Sequence, residues 1–170
     1  MTTTLEAQDQ ELRAHKDHPA SVRLWLRLLS CTTLVEDTIR QKLRDQFDSS
    51  LSRFDLMAQL ERHPNGLTMG ELTRRIMVSG GNTTAIVDQL ENEKLVRRLV
   101  APTDRRSFKV VLTPSGRKSF VQMAKAHEKW VVEMFGDLNA TRHKQLHDLL
   151  GLLKASIRDS QSPAISKDKP

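Results

Sequence analysis

The chain has 170 residues, 38% hydrophobic and 28% charged, with only 7 Gly and 6 Pro, a balance that excludes collagen-like and wholly disordered classes and fits one helix-rich domain with extensions. A single cysteine excludes an intramolecular disulfide, and without an 18-residue apolar run or a basic-then-apolar leader a soluble, cytoplasmic protein is expected, with no membrane partner. Lys and Arg outnumber Asp and Glu by 27 to 21, a net +6 that points to a polyanionic partner only if the excess is concentrated somewhere.

Residues 1–20 are polar and of mixed charge and are expected to be flexible. Val22, Trp25, Leu26, Leu29, Thr33, Ile39 and Leu43 then recur at three- and four-residue steps, predicting an amphipathic helix from about Ser21 to Phe47. Ser52-Arg-Phe-Asp55 reads as the next helix start, with Phe54, Met57, Ala58 and Leu60 apolar and a turn at Pro64-Asn65-Gly66. Thr68-Met-Gly-Glu71 is a capping box that opens a short helix through Leu72, Ile76 and Met77. After a break at Ser79-Gly80-Gly81, a fourth helix carries Asn82, Thr83 and Thr84 on its first turn and Ile86, Val87, Leu90 and Leu95 as its buried stripe.

Val96 to Val100 and Phe108 to Leu112 read as two strands around a hairpin tip at Ala101 to Ser107, forming a wing. Thr113-Pro114 then starts a helix, Thr as cap and Pro at the first helical position, with Phe120, Met123, His127, Trp130, Val131 and Met134 on its apolar face. A last helix from Asn139 to about Ile157 places Leu146, Leu149, Leu150 and Leu153 on one side, and residues 159–170 are expected to be disordered. The fold class is therefore mainly α with a small β-wing. A winged helix-turn-helix lobe, 51–113, lies between a dimerisation helix, 21–50, and C-terminal dimerisation helices, 114–158. Trp25, Leu26, Trp130, Val131, Leu149, Leu150 and Leu153 sit on helices too long for the central lobe to cover, and an intertwined homodimer would bury them.

The charge excess is concentrated. Between residues 66 and 118 there are ten Lys or Arg against five Asp or Glu, so nearly the whole excess falls on the helix-turn-helix and wing. Motif and charge coincide as an electrostatic footprint for double-stranded DNA requires.

Leu90-Glu-x-x-x-Leu95-Val96-x-Arg98, followed by Asp104-x-Arg106-Ser-x-x-Val110-x-Leu112-Thr113-x-x-Gly116, resembles the wing signature of the MarR family of winged helix-turn-helix transcriptional regulators. The resemblance spans roughly residues 22 to 157 and includes the long first helix and the two terminal helices, which match that family's dimerisation elements. One departure is Lys94, where the family usually has glycine; a left-handed lysine costs about 1 to 2 kcal/mol, so a different helix end is expected here.

The resemblance implies that the fourth helix enters the major groove by its N-terminal turn. Gly80 and Gly81 let the backbone approach, and Ser79, Asn82, Thr83 and Thr84 offer groups to base edges or phosphates, although Ser79 and Asn82 also suit simple capping. At the wing tip Arg106 resembles the family's minor-groove arginine, Asp104 is placed to orient it, and Arg105 would meet phosphate. Arg74, Arg75, Arg97 and Arg98 are assigned to phosphates, with some of them instead pairing with Glu71, Glu91 or Glu93 and two of the four expected in contact. A two-fold dimer then implies a pseudo-palindromic operator with half-sites roughly 10 bp apart.

No enzyme, cofactor or metal site is expected. Six histidines are scattered, no Gly-x-Ser-x-Gly turn or Gly-rich phosphate loop is present, and His143 and His147 lack a third ligand. Cys31, among apolar neighbours and without supporting tyrosines, is expected to be a buried, inert thiol rather than a redox switch. The resemblance implies repression relieved by a ligand in the cleft between dimer helices and lobe. Residues 75–82 look most like the branch that answers aromatic acids or hydroxycinnamoyl-CoA thioesters. Trp25 with Arg23, Arg27 or Arg40 would supply an aromatic wall and a cation for such an effector, Trp25 being equally suited to dimer core. The alternative is a constitutive, architectural DNA-binding protein without effector.

Overall fold

A computed structural model describes residues 19–76, 82–101 and 104–161, with side chains outside 100–107. In these residues six helices and one ribbon follow in the order α1 (Ala20–Phe47), α2 (Leu51–Arg62), α3 (Met69–Arg75), α4 (Thr83–Asn92), β1 (Val96–Ala101), β2 (Asp104–Leu112), α5 (Pro114–Met134) and α6 (Ala140–Gln161). They fall into two compact units that divide between Trp130 and Val131.

The core of the first unit takes Leu43 from α1, Leu56, Met57 and Leu60 from α2, Leu72 from α3, Val87 and Leu90 from α4, Val96 from β1 and Val110 from β2, all essentially inaccessible. Burial of each such side chain contributes about 1.5 to 3 kcal/mol. On α5, Phe120 stacks on Phe54 with centroids 5.6 Å apart, and Trp130 packs on Phe47 at 6.2 Å under the ammonium of Lys42.

The helix starts show which side chain claims each cap. The capping box forms as expected: the Glu71 N–H donates to Thr68 Oγ1 at 3.3 Å, and the Glu71 carboxylate accepts from the Thr68 N–H at 2.8 Å. Helix α2 starts earlier than expected, because Ser50 and not Ser52 accepts from the Arg53 N–H; that choice brings Leu51, 8% exposed, into the core with the first turn. Thr113 caps α5, its Oγ1 accepting from the Gly116 N–H at 3.0 Å. Leu95 lies beyond α4 and is half-buried rather than part of the helix stripe.

The turn after α2 depends on Gly66, whose φ of +80° is left-handed and where a β-carbon would stand 2.7 Å from Val111 Cγ1. It aligns Leu67 for an antiparallel bridge to Val110, with N–H···O bonds of 3.1 and 2.8 Å. In the wing, β1 and β2 pair from Val96 opposite Leu112 to Val100 opposite Phe108, shift register at Val100/Ala101, and close with Ala101 opposite Asp104. The hairpin tip expected over Ala101 to Ser107 is thus shorter: the register shift absorbs residues 105–107 into β2, and Pro102 and Thr103 lie outside the described residues.

In the second unit Asn139 caps α6 by accepting from the Arg142 N–H at 2.9 Å, and the Phe135 and His143 rings stack at 6.3 Å. Helix α6 continues to Gln161, past the expected end near Ile157 and into the stretch expected to be disordered, since no glycine or proline stands between Ile157 and Pro163. Of residues 1–20, expected to be flexible, 1–18 lie outside the described residues and Ala20 already opens α1; the tail beyond Gln161 also lies outside the described residues. Cys31 corrects another expectation. It is exposed, because nothing in the described residues covers its face of α1.

Candidate nucleic-acid interface

Helix α4 buries Ile86, Val87 and Leu90 against the lobe, which leaves Thr84, Ala85, Asp88, Gln89 and Asn92 exposed on the opposite side. Asn82 serves as cap, its Oδ1 accepting from the Thr84 N–H at 3.0 Å. Its amide nitrogen and the Thr84 hydroxyl remain on the open first turn, where free backbone N–H groups and the positive end of the helix dipole favour a phosphate. Ser79, Gly80 and Gly81 lie outside the described residues, so the structure speaks only for Asn82, Thr83 and Thr84 from this group. Gln89 is an addition: exposed one turn beyond Ala85, it has the donor and acceptor pair that reads adenine, and helical register from Thr84 pointed to it.

The arginines divide into two sets. Arg74 and Arg75 end α3, Arg97 lies on β1, and all three are exposed with no ion pair among the described residues. Arg98 pairs with Asp88 and Glu91 of α4, and Arg117 pairs with Glu61 at 2.6 Å. Of the four arginines assigned to phosphates, Arg98 is therefore the one that turns inward to a carboxylate. The Asp88 hydrogen bond is the main reason its guanidinium is held protonated even more firmly than usual. Glu71 instead stays with its capping box; hydrogen bonds from Thr68 hold its carboxyl below the ordinary value of 4.5. The backbones of Asp104, Arg105 and Arg106 run in β2, and their side chains lie outside the described residues.

Helix α4 does not end by the different turn expected of a lysine. Lys94 is left-handed at φ +60°, its N–H donates to Glu91 O at 2.9 Å, and the Leu95 N–H donates to Leu90 O at 2.8 Å, the paired bonds of a Schellman turn. The turn that usually takes glycine is kept despite lysine, because its neighbours hold it: the Lys94 carbonyl accepts from the Thr113 hydroxyl at 2.7 Å and from the Ser115 hydroxyl at 3.0 Å.

The effector residues read from the sequence do not converge in one chain. Arg23 and Arg27 are each two residues from Trp25, roughly 160° around the helix from it, and Arg40 lies about 22 Å further along α1, paired with Glu36 at 2.9 Å. A cavity of about 280 Å³ lies elsewhere in the first unit, lined by Phe47, Arg53, Met57, Glu93, Leu95 and Met123 among others. Arg53 holds Glu93 across it, while its Nε is buried without a hydrogen-bond partner. Among the described residues no group of three His, Cys, Asp or Glu is placed to hold a metal ion, and no helix is long and apolar enough to cross a membrane.

The MarR family profile matches residues 48–107, which begin just before α2 and end within β2. The transcriptional activatory protein BadR of Rhodopseudomonas palustris is 29% identical over 136 residues, 77% of each chain. A solved MarR family regulator from Silicibacter pomeroyi is 30% identical with a TM-score of 0.69, covering 83% of this chain and 95% of that one. Sco3205, a MarR family regulator from Streptomyces coelicolor solved in complex with DNA, shares the fold at 22% identity and a TM-score of 0.68, over 88% of this chain and 95% of its own. With a two-stranded wing following a helix-turn-helix, and with these relatives, the chain belongs to the MarR family of winged-helix transcriptional regulators, which act by binding DNA and not as enzymes.

Proposed function

We propose that this regulator is a homodimer that places α4 in the major groove of a pseudo-palindromic operator with the wing at the adjacent minor groove, and that a small aromatic anion releases it, so that its default action is repression. The observation that carries the DNA assignment is the distribution of unpaired charge. Arg74 and Arg75 before α4 and Arg97 after it are exposed and without ion pairs among the described residues, on either side of this helix in the chain. In this reading those three position the protein on phosphates, Asn82, Thr83, Thr84 and Gln89 meet base edges, and Arg106 reads minor-groove width with Asp104 and Arg105 beside it.

Homodimerisation is supported by apolar side chains in water: Trp25 is 59% exposed on α1, and Leu149 and Leu152 are 63% and 69% exposed on α6. The effector reading is supported by the 280 Å³ cavity, whose Phe47 and methionines would receive an aromatic ring while the Arg53 guanidinium, which pairs with Glu93, supplies a cation for a carboxylate. An aromatic acid fits that volume; an aromatic acyl-CoA thioester would place its acyl end there and leave the nucleotide outside. A site built on Trp25 with Arg23, Arg27 or Arg40 would need a second copy of the chain. Release requires that the effector bind the non-operator spacing of the lobes more tightly than the operator-bound one.

Selection of bound duplexes from a random library tests the assignment. The expected product is a two-fold-related motif with half-sites about 10 bp apart, against which Arg106→Ala costs about 1 to 3 kcal/mol. Binding unchanged by Arg106→Ala would remove the wing from recognition. Thermal shift against aromatic acids and their CoA thioesters tests the effector, since a ligand at 100 times its Kd adds about 2.7 kcal/mol. Silence across that panel would favour constitutive, architectural binding. A second reading, activation, is favoured by the name of BadR, a transcriptional activatory protein. Deleting the gene should raise transcription from a bound promoter under repression and lower it under activation.

A further inference from the structure

Helix α4 presents a charge problem. It contains Asp88 and Glu91 and neither Lys nor Arg, and Glu93 follows at its C-cap. Carboxylates beside DNA are repelled by phosphate, and carboxylates in the last turns of a helix also oppose its dipole. The structure meets both costs with arginines from other elements: Arg53 of α2 takes Glu93, and Arg98 of β1 takes Asp88 and Glu91 together.

The geometry of Arg98 is specific. One terminal nitrogen of its guanidinium pairs with Glu91 and the other with Asp88, its backbone N–H donates to Glu91 at 2.9 Å, and its guanidinium carbon lies 5.2 Å from the ring centroid of Phe108 on β2. One side chain thus joins the recognition helix to both strands of the wing, with both ends and one face of its guanidinium engaged. Asp88 stands one turn from Thr84 on the exposed side of α4, so the charge that Arg98 cancels lies on the surface offered to DNA.

We propose that Arg98 is a positioning residue for DNA recognition, which neutralises the carboxylates of α4 and fixes the wing relative to that helix without contacting phosphate. The inference rests on the reading that α4 and the wing bind DNA. Loss of Arg98 exposes two negative charges at the groove and frees the wing, so specific binding suffers more than general attraction to DNA.

The test measures affinity for the best duplex selected from a random library of about 24 bp and for a shuffled duplex of the same composition. Wild type, Arg98→Ala and Arg98→Lys are compared, each also in an Asp88→Asn/Glu91→Gln background. Arg98→Ala should weaken the selected duplex at least about tenfold and the shuffled one less than about threefold, and in the neutralised background its cost on the selected duplex should fall below about threefold. Arg98→Lys should restore only part of the loss, because an ammonium cannot span two carboxylates and stack on Phe108.

Equal losses on both duplexes, full rescue by lysine and an unchanged cost in the neutralised background would identify a phosphate contact and overturn the proposal. If Arg98→Ala does not fold, the lysine variant decides by the same ratio, lowered in support and unchanged in contradiction. A wild-type protein that bound both duplexes equally and without salt dependence would remove the DNA reading and this inference with it, an outcome distinct from a phosphate contact.

Discussion

Gly116 lies directly against the carbonyl of Leu95, where a β-carbon would stand 1.8 Å from the oxygen. The first turn of α5 therefore rests on the backbone that leaves α4, and Thr113 and Ser115 secure the contact through the Lys94 carbonyl. Gly116→Ala cannot be absorbed by a side-chain rotation, since the clash is with backbone. We expect a loss of about 1 to 3 kcal/mol or more, measured by urea denaturation, and a stability within error of wild type would show that α5 docks differently.

Lys94 carries the opposite expectation. Its left-handed φ of +60° is a conformation in which glycine has no steric penalty. Lys94→Gly should raise stability by about 1 kcal/mol, and Lys94→Val should lower it by more than that, since a β-branched residue fits this region worst. A destabilised glycine variant would contradict the geometry at the end of α4.

His127 links stability to pH. Its ring lies 5.0 Å from that of Phe54, and burial lowers its pKa below the ordinary 6.5, so the folded protein holds it neutral. A depressed pKa of this kind contributes stability that is complete above about pH 6.5 and is lost as pH falls through the folded value. Melting curves between pH 7.5 and 5 should show a steeper decline for wild type than for His127→Phe. Parallel declines would remove His127 from the pH response.

Much of this was legible in the sequence, for local reasons. The Thr68 and Glu71 box, the Thr113 and Pro114 start and the buried Ile86, Val87 and Leu90 stripe are set by neighbours within a turn, and each forms where the spacing placed it. Lys94 was misread because the hydroxyls that hold its carbonyl come from 19 and 21 residues away. Cys31 was misread because apolar neighbours along a helix do not reveal whether anything packs on that face. Trp25 does not share a face of α1 with Arg23 and Arg27, since residues two apart face opposite ways, so a site built on them calls for a second copy of the chain. Of the phosphate candidates, the sequence named Glu91 among the carboxylates that could take an arginine, but not Asp88, which Arg98 binds at the same time.

Gln89 offers a test of base reading. Exposed on α4 in line with Ala85, it is placed to hydrogen-bond a base edge, and Gln89→Ala should cost about 1 to 3 kcal/mol against the selected operator while leaving shuffled DNA unaffected. Repeating the selection with the variant should relax one position of the motif in each half-site. An unchanged motif would place Gln89 outside the groove.

The central claim is that Arg74, Arg75 and Arg97 form the phosphate footprint of this regulator. It is tested most directly by the salt dependence of binding to the selected duplex, for wild type and for the Arg74→Ala/Arg75→Ala/Arg97→Ala variant. Each arginine that no longer reaches a phosphate lowers the slope of log K against log salt by about 0.9, and a dimer loses each one twice, so if two or three per protomer bind phosphate the variant's slope should be shallower by roughly 3.6 to 5.4 and its binding far weaker. The same slope and affinity in the two proteins would contradict the account.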